Sequence, residues 1–105
     1  MARSAELADA LLRAVDQGLL VPGQIVRAAI YERIERSYPL RRDEIPGKLE
    51  TFHNALQDLL GVGAKVMEKL IAKNLYNTLG LDFTEHQNWT LVDYVNHAKK
   101  AKRHA

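Results

Sequence analysis

Apolar residues recur every three or four positions along almost the whole chain, and nowhere do they alternate. This spacing is the strongest constraint on the fold, because a period near 3.6 buries one face of a helix whereas a strand needs a period of two. Leu7, Leu11, Leu12 and Val15 start the pattern. Ser4 suits an N-cap, and Gly18 suits the left-handed position that closes a helix, so the spacing predicts a first helix over residues 5–17. After the apolar bridge Leu19 to Val21, Pro22 fits a first helical turn. Val26, Ala29, Ile30 and Ile34 share the next face, and Glu32 stands four residues before Arg36 in the favourable order. Tyr38-Pro39 ends that helix, since the residue before proline is pushed out of the α region.

Residues 40–45 read as a polar connector. Ile45-Pro46-Gly47 opens a third helix, with Leu49, Phe52, Leu56, Leu59 and Leu60 as its buried face. Gly61-Val62-Gly63 breaks it. A fourth runs over residues 64–79 to Gly80, with Val66, Met67, Leu70, Ile71, Leu75 and Leu79 covering more than half its circumference. A helix so broadly apolar is central or is covered by a partner. Leu81, Phe83 and Trp89 are expected to fold back as an apolar lid. Thr90 and Asp93 resemble a capping box at the start of a short last helix carrying Leu91, Tyr94, Val95 and Ala98. The expected fold is therefore all-α: a compact bundle of four main helices plus a short C-terminal helix, in one domain over residues 1–96, with residues 97–105 a basic tail continuing the last helix.

Composition narrows the function. With 105 residues and 47% hydrophobic content, the chain can build one core. It has no cysteine, which excludes a disulfide scaffold, a thiolate zinc site and an iron–sulfur cluster. No apolar run approaches the roughly 20 residues of a membrane span, and the N-terminus lacks the apolar stretch of a signal peptide, so a cytoplasmic protein is expected. The chain carries 15 Lys and Arg against 13 Asp and Glu. Four of those bases, Lys99, Lys100, Lys102 and Arg103, lie in the last nine residues; without them 11 bases face 13 acids, so the excess positive charge belongs to the tail.

One segment could carry chemistry. Leu59-Leu60-Gly61-Val62-Gly63-Ala64-Lys65, set between two amphipathic helices, resembles the helix-hairpin-helix DNA-binding motif. Two glycines permit a tight turn with positive φ, and the amides opening the next helix suit a phosphate. Lys65, Lys69 and Lys73 recur at four-residue steps as one stripe, with Tyr76 on the same side and Glu68 beside it. Under this resemblance Gly61, Val62, Gly63 and Lys65 contact a phosphate with Lys69 behind them, aided by the basic tail. The motif family usually has a small residue where this chain has Met67. The plain alternative is a helix C-cap followed by a helix start, with solvated lysines.

A longer resemblance runs over about residues 10–80. Gly18-Leu19, residues 25–31, Ile45-Pro46, residues 49–52, Leu60 to Lys65 and Lys73-Asn74-Leu75-Tyr76 together are similar to the Nitrosopumilus output domain family. That family is all-helical, is found both alone and attached to signalling proteins, and has no established biochemical activity. The resemblance implies an archaeal regulatory or interaction module and brings no catalytic residue.

Enzyme readings are weak. His53, His86, His97 and His104 show no pairing at helical ligand spacing, and Asp93 with His97 reads as a surface hydrogen bond. His53 reads as a rim residue, and Asp43-Glu44 as partners of a helix dipole. No dinucleotide or phosphate loop follows a strand. No catalytic residue, cofactor, metal or small-molecule substrate is assigned. Asn74, opposite Lys65 on the fourth helix, either bonds a backbone carbonyl or fixes register in a homodimer. The leading expectation is a non-enzymatic module with a protein partner or a second copy; the alternative is a nucleic-acid binder.

Overall fold

A computed structural model describes residues 2–103, and the side chains of residues 5–102. Five α-helices and one 3-10 turn follow in order: α1 Ala2–Leu20, α2 Gln24–Ser37, the turn Arg42–Gly47, α3 Leu49–Leu60, α4 Gly63–Leu79 and α5 Leu91–Arg103. Among the described residues there is no strand. The helix at the C-terminus is not short: its 13 residues exceed the 12 of α3.

α4 is the central element. It packs on α1 most extensively and also touches α3 and α5, which accounts for its broad apolar surface within one chain. The α1–α4 crossing explains why α1 does not stop at Gly18. That glycine is buried inside the helix, and a Cβ placed on it would lie 2.7 Å from Ile71 Cγ1 and 3.5 Å from Met67 Sδ. Gly18 thus serves a close approach of two helices rather than a C-cap. The same contact places Met67 against α1. At the other end α1 already includes Ala2, so it begins before Ser4, whose side chain lies outside the described residues.

The core joins Leu11, Val15 and Leu19 of α1, Ile34 of α2, Phe52 and Leu56 of α3, Ile71 and Leu75 of α4, and Leu91 and Val95 of α5. Each such side chain stabilises the fold by about 1.5–3 kcal/mol relative to an exposed position. The segment at residues 40–45 is not a purely polar connector, because Leu40 and Ile45 are fully buried in the same core. Leu81, Phe83 and Trp89 do fold back onto it. Residues 97–103 of the basic stretch are part of α5: Ala98 is buried, and Lys102 Nζ reaches the Leu79 carbonyl at 3.5 Å. Lys99 and Lys100 are exposed, while the Arg103 side chain and His104 lie outside the described residues.

On the far side of α1, Asp16 ties three elements together. It accepts from the Tyr31 hydroxyl at 2.5 Å and from Arg42 Nε and Nη2 at 2.9 and 2.5 Å. Burial works against its charge, but the Arg42 and Tyr31 hydrogen bonds and the guanidinium charges outweigh it and hold the carboxyl below its ordinary value. Burial first, and then the bond to Asp16, push the Tyr31 hydroxyl above the usual tyrosine range.

Candidate functional site

Gly61 caps α3 with φ 57°, its amide donating to the Gln57 carbonyl at 2.9 Å. Gly63 does not share this conformation; it is the first residue of α4, so the turn needs one left-handed glycine rather than two. Val62 stands between them at the tip, 97% exposed. No side chain caps the start of α4. Lys65 and Lys73 are exposed, and Lys69 is half-buried with Nζ 3.2 Å from Glu85 Oε2. Val66 is 65% exposed and faces out beside Lys65 rather than into the core.

The lysine stripe is shorter than its spacing suggests. Tyr76 points in nearly the direction of Lys65 on an ideal helix. Yet it is buried, because Phe83, Tyr94 and His97 from the following segment and α5 cover that end of α4. Its hydroxyl donates to the Tyr94 carbonyl at 2.7 Å, and burial together with Tyr94 pushes its pKa up to about 12. The acid that offsets the stripe is Glu85, not Glu68. Asn74 is half-buried.

Glu68 is turned inward and is 4% exposed. One oxygen lies 2.5 Å from His53 Nδ1 on α3, and the other accepts the Leu91 amide at 2.8 Å. That amide belongs to the first turn of α5, where no intrahelical partner exists, so Glu68 caps α5 from a neighbouring helix. A buried carboxylate is costly unless both oxygens are engaged, as here. His53 is therefore a held residue and not a free rim imidazole. Asp93 completes the start of α5 by accepting the Thr90 amide at 2.9 Å, while His97 stacks on the Tyr76 ring instead of bonding Asp93.

Around these groups the surface is concave. Trp89, stacked at 3.8 Å on His86, separates two open grooves. One, of ≈ 240 Å³, runs between Val62, Val66 and Lys69 and the segment holding Glu85 and His86. The other, of ≈ 260 Å³, lies over the His53–Glu68 pair and is walled by Gln57, Lys65, Gln87, Asn88 and Thr90. Lys65 borders both. Spacing alone could not find the Glu68 pair, since His53 and Glu68 come together only when α3 folds back on α4. One signal was present: Glu68 sits between Ala64 and Ala72 at four-residue steps, on a ridge small enough to be buried.

Among the described residues, no three His, Asp or Glu side chains are grouped to hold a metal ion. Among the described residues, no helix is long and apolar enough to cross a membrane. No family model, no curated protein and no solved structure matches this chain.

Proposed function

We propose that the protein is a non-enzymatic, cytoplasmic helical module that works through protein contacts or self-association, with the corner between α1 and α2 as its docking surface. The observation that carries this reading is the exposure of four neighbouring aliphatic side chains: Leu20 at 39%, Val21 at 70%, Ile25 at 87% and Val26 at 40%. A contiguous apolar patch at one corner marks an interaction surface more readily than scattered exposed residues do. The resemblance to the Nitrosopumilus output domain family supports the same class. In this reading four helices form the body, α5 closes it, and the basic end of α5 is an extension for contacts.

The test is sedimentation velocity over a wide concentration range at low and moderate salt, on the wild type and on Val21→Glu/Ile25→Glu. Concentration-dependent association that survives moderate salt and disappears in the variant is the expected result. A wild type that stays monomeric throughout ends the self-association form.

The exposed Val62 tip beside Lys65 and the uncapped start of α4 favours a second reading, binding of nucleic-acid phosphates. Duplex DNA affinity should then fall steeply with salt, and Lys65→Glu/Lys69→Glu should weaken it for every sequence. Lys99→Glu/Lys100→Glu tests the α5 extension without removing the buried Ala98. Unchanged affinity in the Lys65/Lys69 variant removes the hairpin mechanism.

A further inference from the structure

The geometry points to an oxyanion-binding site for a small phosphorylated or sulfated ligand in the groove beside Trp89, where His53 and Lys65 hold the anion and buried Glu68 orients the imidazole. This inference is independent of the α1–α2 corner.

Glu68 fixes the ring. Its Oε2 takes Nδ1 at 2.5 Å, and its Oε1 is already committed to the Leu91 amide at 2.8 Å. Among the described residues no buried side-chain nitrogen or oxygen lacks a hydrogen-bond partner, and His53 lines the groove, so Nε2 is the nitrogen left open to it. A second-sphere carboxylate of this kind is how proteins hold an imidazole in one orientation for a ligand on its far side. Lys65 borders the same groove and forms no ion pair among the described residues. The remaining polar wall consists of Gln57, Gln87, Asn88 and Thr90, whose amides and hydroxyl can donate.

The charge pattern selects the ligand. The only acid in the wall is Glu68, and both its oxygens are occupied, so a cation would find no free carboxylate. One imidazole nitrogen without further ligands does not make a metal site. An oxyanion, in contrast, meets the Lys65 ammonium, an Nε2–H when the ring carries both protons, and neutral donors. The ≈ 260 Å³ of space is several times the share of one water, about 30 Å³, and leaves room for a tetrahedral anion. In the complex the His53 ring lies between the Glu68 carboxyl on Nδ1 and the bound anion on its groove side. The charged groups facing that ring are Glu68 and Lys65 from α4; α3 adds Gln57, and the segment leading into α5 adds Gln87, Asn88 and Thr90. Asp93 lies behind Thr90, held by its amide.

Sulfate is the probe, and NMR at fixed pH and ionic strength is the readout. Saturable shifts at His53 Nε2, Lys65 and the amides of residues 87–90 are expected. Lys65→Met and His53→Gln should each weaken binding by about tenfold, the order of one lost charge-assisted contact. Lys65→Met changes an exposed side chain, so it keeps the test open if the His53 variant unfolds. Linear shifts spread over all lysines, or equal binding by Lys65→Met, overturn the proposal. So does duplex DNA that produces the same shifts where sulfate produces none, which would return the groove to the nucleic-acid reading.

Discussion

The two sides of α4 are built on opposite principles. Toward α1 the contact is dry: Ile71 and Met67 close on a glycine, and proximity is set by volume alone. Toward α3 and α5 it is polar: Glu68 holds His53 and the Leu91 amide, and Tyr76 bonds the Tyr94 carbonyl. A dry contact tolerates many apolar residues of the right size but no added bulk. A buried polar contact tolerates little change of chemistry, yet it fixes direction, which a ligand-facing imidazole requires.

The sharpest way to break the dry side is to add volume at Gly18. Gly18→Val should cost about 3 kcal/mol, the upper part of the range for overpacking, because Ile71 is fully buried and cannot withdraw. Gly18→Ala carries the opposing gain of about 1 kcal/mol in helix propensity and should still be destabilising. Urea unfolding measures both, and Gly18→Ala should cost less in an Ile71→Ala background than in the wild type. A stabilised Gly18→Ala protein would show that the helices do not approach so closely. On the polar side, Glu68→Ala strands two partners and should cost about 2–3 kcal/mol. Glu68→Gln keeps the shape and one acceptor, so its cost should be about 1 kcal/mol. Faster hydrogen exchange at the Leu91 amide than in the wild type is the specific sign that the cap on α5 is gone.

The same contrast explains what could be read from the chain. Helix periodicity located α2 and α4 to within a residue or two, the end of α3 and most of the core, because that signal is local; Ile45-Pro46-Gly47 does not open α3 but closes the 3-10 turn before it. Gly18 carried no local mark separating a helix end from a helix crossing; only the residue that meets it, 53 positions later, decides. Leu40 and Ile45 sit among charged neighbours, and the pattern there hides two fully buried residues. Tyr76 and Glu68 were assigned to the lysine side by helix angle, whereas α5 and α3 decide what those angles face. The Gly61–Lys65 turn was visible from sequence, but the groove beside it was not, since its walls come from α3, α4 and the segment before α5.

Asp16 offers a polar contact nearer the surface, where solvent reduces the effect. Asp16→Asn should cost about 1 kcal/mol, since part of each charge stays hydrated. Its carboxyl is held below the ordinary value of 3.8, so the charged form contributes stability at pH above that value. The contribution is lost as pH falls from about 3.8 through the lower folded-state value. Thermal melts between pH 6 and 2 should therefore fall less steeply for Asp16→Asn than for the wild type. Parallel curves would mean that the Arg42–Asp16 pair is not formed in solution.

The smallest effect is expected at the turn that leads into α4. Val62 is 97% exposed at the tip of the turn, so Val62→Ser removes almost no buried area and should change stability by less than about 0.5 kcal/mol. An aliphatic side chain held that far into solvent contributes nothing to the core described here. A larger loss by urea unfolding would show that the tip is packed in solution, against this chain or a second copy. Running the variant at two protein concentrations separates these cases, because a loss arising from a second copy grows with concentration whereas an intramolecular one does not.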